Sequence, residues 1–438
     1  MTSRSARSKT TIAVAGALAF SLGLAACSSS SSGGEGDGKS FTYWSMWKVG
    51  EPQQKVIAAA ITDFEKQTGI KVNAQWQGRS NLQKLVPALN TNSVPDLVDG
   101  PYVKAYPALV ATNQALGLKA AYDMDVDGQK VSSLVPEKYL KTINIKLPDG
   151  QPWMLPYQIQ SDAMWFDAAK YPEIKANPPK TWDEFITVLN KIKAKGDEAP
   201  IAADGDIAGY NAAWLSTLIV RNGGPGALMK VAEDKTGQAW KQPVALDAAK
   251  DVEQIVKGGF LISGYNASKF PLQQQQWAVN KAALMFNGSW LPTESSTYRA
   301  KGFEIASFPF PTTNDSHDSA RVDFSGFMVP KKATNAGAAE KFAAFFLGKK
   351  YQDLYGTQAK GIPVRQDASI SPELAGVQET IKSASSYHQQ NDGVAFPGYN
   401  EKVFWANSDQ LFLGKMTAQQ FVDAMVKDQA AYWKAQGK

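Results

Sequence analysis

The chain alternates between segments with a two-residue apolar period and segments with a helical period. Phe41-Thr42-Tyr43-Trp44-Ser45-Met46-Trp47 reads as a first strand. Over 56–66 the apolar residues Ile57, Ala60, Ile61 and Phe64 fall on one helical face, and Gly69 ends that helix. Ile70, Val72, Ala74 and Trp76 alternate as a second strand, 82–89 reads as a helix, and Pro95-Asp96-Leu97-Val98-Asp99 as a short buried strand. This β-α-β-α-β opening predicts a mostly parallel sheet with helices on its faces. In such sheets ligands bind beyond the carboxyl ends of the strands, where Trp47, Trp76 and Asp99 fall. Later helices carry their own start signals. Thr181-Trp182-Asp183-Glu184 and Thr417-Ala418-Gln419-Gln420 have capping-box spacing, and the apolar run 338–347 stops at Gly348.

The first residues follow a different pattern. Arg4, Arg7 and Lys9 precede a small, apolar stretch over 10–26, and Leu24-Ala25-Ala26-Cys27 closes it with the chain's only cysteine. That layout is a bacterial lipoprotein signal over 1–26, with the Cys27 thiol as the atom a lipid transferase modifies. As a transmembrane anchor the stretch is at the short limit, and no charged stop sequence follows it. Ser28 to Ser32 and the glycines after them have no apolar surface to bury, so 27–40 reads as a flexible tether. The body is then expected outside the cytoplasm, held at the outer face of the cell membrane by acyl chains such as palmitate.

Composition narrows the chemistry. A hydrophobic share of 44% and a charged share of 20% are those of a globular protein. Once Cys27 is lipidated no thiol remains for a disulfide. The net charge of +5 falls towards neutrality without the three cations of the leader, and no basic run appears, which argues against nucleic acid as a partner. The two histidines, His317 and His388, stand in polar surroundings and read as solvated loop residues, with no metal or triad context. Asp123, Asp125 and Asp127 imitate the start of a calcium loop, but Leu134 occupies the position of the strongest ligand. No cofactor is implied and no carboxylate pair is nominated for catalysis. The aromatic excess, 12 Trp, 15 Tyr and 20 Phe, serves packing for the most part, and it also suits stacking against the apolar faces of sugar rings.

The order of motifs resembles the family 1 extracellular solute-binding proteins, carbohydrate receptors of ABC importers. Phe64-Glu65-Lys66-Gln67-Thr68-Gly69-Ile70-Lys71-Val72 is similar to that family's first helix and second strand, and Pro95-Asp96-Leu97 to its third strand. The stretch Asp149-Gly150-Gln151-Pro152-Trp153-Met154-Leu155-Pro156-Tyr157 resembles its approach to the first lobe crossing, and Pro179-Lys180-Thr181-Trp182-Asp183-Glu184-Phe185 the helix that follows. Most specific is Asn280-Lys281-Ala282-Ala283-Leu284-Met285-Phe286-Asn287-Gly288-Ser289-Trp290, although Asn280 replaces the usual glycine and Leu284 is inserted before the methionine. Phe308-Pro309-Phe310-Pro311 and Gly361-Ile362-Pro363-Val364 look like the later crossings.

The resemblance implies an α/β, two-lobed periplasmic-binding-protein-like fold with discontinuous lobes and a three-crossing hinge. One lobe would hold 41–157 plus about 310–364, the other 158–309 plus about 365–438. It implies a monomeric, non-enzymatic receptor that closes over a mono- or oligosaccharide and delivers it to an ABC permease. The ligand-binding residues carried over are Trp47, Trp76, Asp99, Tyr102, Gln158 and Gln160 from the first lobe. Tyr210, Trp214, Trp290, Tyr399 and Trp405 come from the second. Asp99 reads equally as a cap, Trp47 and Trp76 equally as shields of the sheet edge, and Trp290 alternatively as packing. Three other classes stay open: a secreted glycoside hydrolase, a receptor for a peptide or other non-sugar solute, and a surface adhesin.

Overall fold

A computed structural model of the protein describes residues 37–91, 93–313 and 317–437. The leader, Cys27 and the first part of the tether lie outside these residues.

The aromatic start forms β1 (Ser40–Ser45), with Phe41, Tyr43 and Ser45 turned inward. Helix α1 (Pro52–Thr68) covers it with Val56, Ile57, Ala60 and Phe64. Gly69 ends that helix at φ 73°, where a side chain would be strained, and its N–H donates to the Glu65 carbonyl at 2.9 Å. β2 (Lys71–Trp76) then pairs parallel with β1 from Ser40 opposite Lys71 to Ser45 opposite Trp76. Helix α2 (Asn81–Ala88) leads to β3 (Leu97–Pro101), parallel to β1 on its other side. The opening thus follows the periodicity, with β3 running two residues beyond Asp99.

The sheets themselves are mixed rather than mostly parallel. The larger adds β4 (Leu155–Gln160) now, and β9 (Asp323–Met328) and β10 (Ile362–Pro363) later in the chain, in the order β10-β4-β9-β3-β1-β2. β9 is antiparallel to both β3 and β4. The smaller holds β5 (Asp162–Asp167), β6 (Ala199–Ala202), β7 (Ala282–Gly288) and β8 (Ile305–Phe308), in the order β8-β5-β7-β6. Only β6 and β7 are parallel there. These antiparallel partners arrive from distant sequence, so the local β-α-β signal could not reveal them.

β7 and β9 are buried at every position, as strands covered on both faces are. The chain passes between the sheets at Ser161, again between Phe308 and Asp323, and again after Pro363. Residues 158–160 belong to β4 and therefore to the larger sheet.

Packing follows the two sheets. Around the larger, Phe41, Tyr43, Phe64, Phe327 and Phe342 meet edge to face or tilted, at centroid distances of 5.4 to 6.4 Å. On one face of the smaller, helix α3 (Trp182–Lys195) starts from the Thr181 capping box, whose two reciprocal hydrogen bonds are formed. There α4 (Ala208–Gly223) shares a core with two C-terminal helices, Trp405–Phe412 and Ala418–Ala435, through Trp214, Leu218, Leu411, Phe412, Phe421 and Met425.

Candidate functional site

The loop after β1 is fixed from beneath. The Asp99 carboxylate, fully buried, accepts the Met46 N–H at 2.7 Å, the Tyr157 hydroxyl at 2.9 Å and the Ser45 hydroxyl at 3.4 Å. Burial pushes its carboxyl up to about 6 against the pull of these donors. Trp47 is buried too. Its Nε1 donates to the Tyr157 hydroxyl at 3.0 Å, and the Arg79 guanidinium lies 4.5 Å over its ring. Arg79 in turn holds both Glu51 oxygens, at 2.9 and 3.1 Å, and the Met46 carbonyl at 2.7 Å. Asp99 and Trp47 therefore build the loop and have no face left for a ligand. Gln158 is likewise enclosed, its Oε1 accepting from Tyr355 at 2.6 Å. Trp76 stays half-buried at the sheet edge against Tyr43, with centroids 6.1 Å apart.

Two residues expected from the second lobe are core residues instead. Trp214 is 2% exposed, packed among Phe286, Phe310 and Phe412. Tyr399 is fully buried and bonded to Gln429. An aromatic residue in a helix carries the same sequence signal whichever face it takes, and these two face inward.

The others converge where the chain crosses between sheets. Gln160 sits opposite Asp323 at the end of β4. Arg321 donates to Asp323 and Asp162 at 2.7 Å each, and to Gln390 at 3.1 Å. Gln390 closes the ring by donating its N–H to Asp323 at 2.8 Å. The first two crossings thus each contribute a member, and Gln390 comes from the segment after the short strand Tyr387–His388 that pairs with Ala320–Arg321. Two carboxylates hold the Arg321 guanidinium charged despite its burial, and burial still leaves Asp323 raised above the usual carboxylate range.

Beside this cluster Trp290 stacks on Tyr210, at 6.1 Å between centroids and 24° between planes, and donates to the Tyr210 hydroxyl at 3.1 Å. Arg321 lies 5.8 Å from the Trp290 ring. That ring rests over Gly288, where a Cβ would come within 2.2 Å of it. Trp405 donates to Asn391 at 3.3 Å. Tyr102, beyond β3, tilts against Tyr106 and Trp153 at 5.7 and 5.5 Å and feels the charge of Asp323.

Asp323 Oδ1, Ser161 Oγ, Ser325 Oγ and Asn391 Nδ2 are all buried here without a hydrogen-bond partner, and the Gln389 amide reaches the Tyr102 hydroxyl. Such groups are costly unless something else supplies the partner, so their concentration marks a polar site. Sequence reasoning missed Arg321, Asp323, Asp162, Gln389, Gln390 and Asn391. One signal was available, since Arg321-Val322-Asp323 sets two charges where the fully buried strand β9 begins.

Asp123 pairs with Lys119, Asp125 with Lys130 at 2.9 Å, and Asp127 with Arg365 at 2.6 Å, each carboxylate facing its own cation. Among the described residues no cluster of three or more His, Cys, Asp or Glu could hold a metal. His317 is exposed, but His388 is not the solvated residue its neighbours suggested. It is 6% exposed and shares a 2.8 Å hydrogen bond with Ser319. Burial and the charges of Arg221 and Arg321 lower it to about 3, so it stays neutral.

Two α/β lobes joined by three crossings, with an aromatic and polar site at those crossings, define a solute-binding protein. Residues 49–353 match the family described as bacterial extracellular solute-binding protein, and the chain belongs to that family. Its relatives include the diacetylchitobiose-binding protein of Streptomyces coelicolor, 23% identical over 45% of this chain and 43% of that one. Another is an ABC transporter extracellular-binding protein of Pyrococcus horikoshii, 23% identical over 64% of each chain. This chain therefore spans less than half of the first relative's length and just under two thirds of the second's. Among solved structures, RafE in complex with raffinose superposes with a TM-score of 0.72 at 16% identity, over 90% of this chain and 99% of that one. The family and these neighbours are binding proteins.

Proposed function

We propose that the protein is the carbohydrate receptor of an ABC import system, capturing a mono- or oligosaccharide between its lobes and passing it to the permease. The observation that carries this reading is the group of unpartnered buried donors and acceptors at the crossings, set beside Trp290, Tyr210, Trp405 and Tyr102. A sugar presents both kinds of partner on its hydroxyls and an apolar face to an aromatic ring. The binding residues in this reading are Tyr102, Gln160, Tyr210, Trp290 and Trp405 from the sequence, joined by Arg321, Asp323, Gln389 and Asn391. Contacts to both lobes favour the closed form, and the crossings at Ser161, between Phe308 and Asp323, and after Pro363 act as the hinge. The relatives named for a diacetylchitobiose and for an ABC transporter support the ligand class and the partner.

In this reading Cys27 carries the lipid that keeps a monomeric receptor at the outer face of the cell membrane. Metabolic labelling with a palmitate analogue, lost in Cys27→Ala, tests the anchor. A thermal-shift panel of mono- and oligosaccharides tests the ligand, because a sugar at 100 times its Kd adds about 2.7 kcal/mol of apparent stability. A panel without any stabilising sugar, or turnover of the sugar by the purified protein, would overturn the reading.

A further inference from the structure

A second polar group lies against the Trp290–Tyr210 pair. Tyr210 is within electrostatic reach of Asp204 and Glu294. Asp204, 1% exposed just after β6, accepts the Gln273 N–H through Oδ1 at 3.2 Å and is also held by the backbone and side-chain amides of Gln274. Gln274, also 1% exposed, donates Nε2 to Glu294 at 3.3 Å and lies beside Asp204 as well. Carboxylates on two sides fix that amide's orientation, so its Oε1 is left buried with no donor. Glu294 is half-buried, four residues after Trp290 on the helix Leu291–Ser295.

The larger-sheet side brings Arg79 and Glu51 within reach of Glu294, but Arg79 already holds Glu51 with both of its terminal nitrogens' bonds. The corner is thus made of acceptors, two carboxylates and an amide oxygen, with no cation of its own. Burial pushes Asp204 up to about 6 and Glu294 to about 7, the latter against the pull of Arg79. A hydroxyl offers one proton to such a corner. An ammonium offers three, carries the missing charge and needs no donor in return.

We infer that this corner of the cleft receives a protonated amine, so that the captured solute is an amino sugar. The inference rests on the reading of the cleft as a sugar site. Calorimetry on the purified full chain at neutral pH, with glucose, galactose and mannose each paired with its 2-amino-2-deoxy counterpart, as monosaccharides and β-1,4-disaccharides, tests it. In the pair that binds, the amine is expected to bind at least tenfold more tightly than the hydroxyl, which corresponds to about 1.4 kcal/mol. Glu294→Gln should bring that ratio close to one, and Asp204→Asn should lower it in the same direction. A hydroxyl sugar that binds as tightly as its amine overturns the inference and leaves the sugar receptor standing. So does a preference that survives both substitutions. Failure of every sugar to bind removes the inference and the receptor reading together.

Discussion

Replacing Arg321 by Met separates the hinge charges without opening a large void. The guanidinium makes charge-assisted bonds of 2.7 Å to Asp323 and Asp162 and a 3.1 Å bond to Gln390. Without it Asp323, 3% exposed, keeps only the Gln390 N–H among these partners, and its other oxygen is already unsatisfied. Removing one member of a buried pair costs about 3–5 kcal/mol, because the remaining charge stays desolvated. The Asp162 side chain is 12% exposed, so water replaces only part of what it loses and a cost within that range is expected.

Urea unfolding of the wild type, Arg321→Met, Asp323→Asn and the double variant gives the coupling directly. Neutralising Asp323 in the Arg321→Met background should restore about 2 kcal/mol or more, since the penalty is that of an orphaned charge. Acid should act in the same direction. Asp323 already has a raised pKa, and without the arginine the native state binds its proton still more readily than the unfolded chain. Arg321→Met should therefore regain stability relative to wild type as the pH falls from 7 to 5. A loss below about 1 kcal/mol, or strictly additive single variants, would refute the account of the hinge as a coupled charge cluster.

Trp290→Ala should weaken sugar binding by more than tenfold, about 1.4 kcal/mol, in calorimetry; unchanged affinity would take the ring out of the site. Gly288→Ala should displace the same ring, since the added carbon would lie 2.2 Å from it, and reduce affinity while the circular-dichroism spectrum stays that of wild type. Thr181→Ala removes the cap of α3, with its 3.3 Å bond to the Glu184 N–H, and should cost about 1 kcal/mol in urea unfolding with sugar affinity unaltered. Asp99, Asp204 and Asp392 are raised to about 6, and Asp251 and Glu294 to about 7. The native state then holds more protons than the unfolded one between pH 4 and 7, so wild-type stability should fall as pH rises through that window. His388, lowered to about 3, opposes this with a single proton, and near pH 4 so do carboxyls held low by their hydrogen bonds, such as Glu65, Glu184 and Glu373. A stability curve that climbs steadily from pH 5 to 7 would contradict it.

Periodicity made the first half of the larger sheet legible, because β1, α1, β2 and α2 are neighbours in sequence and each buries one face. Both capping boxes were legible for the same reason, being contacts across three residues. The antiparallel strands β4 and β9 were not, since their pairing joins residues more than a hundred positions apart. The site divides similarly. Trp290 stood out by type and by motif, and Tyr210 was carried over from the order of motifs, whereas Arg321 and Gln390 matter only because segments distant in sequence meet. Asp99 was placed at a strand end but lies in the middle of β3, and the direction of its carboxylate, into the loop rather than the cleft, depends on Met46 and Tyr157.

The sorting of the indoles has an optical consequence. Eight of the twelve tryptophans are buried, and Trp153, Trp165, Trp240 and Trp277 are wholly enclosed. Their emission is a constant blue background that a solute entering the cleft cannot reach. Of the four half-buried indoles, Trp44 and Trp76 belong to β1 and β2, and only Trp290 and Trp405 stand beside the crossings. The protein therefore carries its own reporter. A change in red-edge fluorescence on mixing with solute follows occupancy without any label, and Trp290→Phe and Trp405→Phe divide that signal between the two rings.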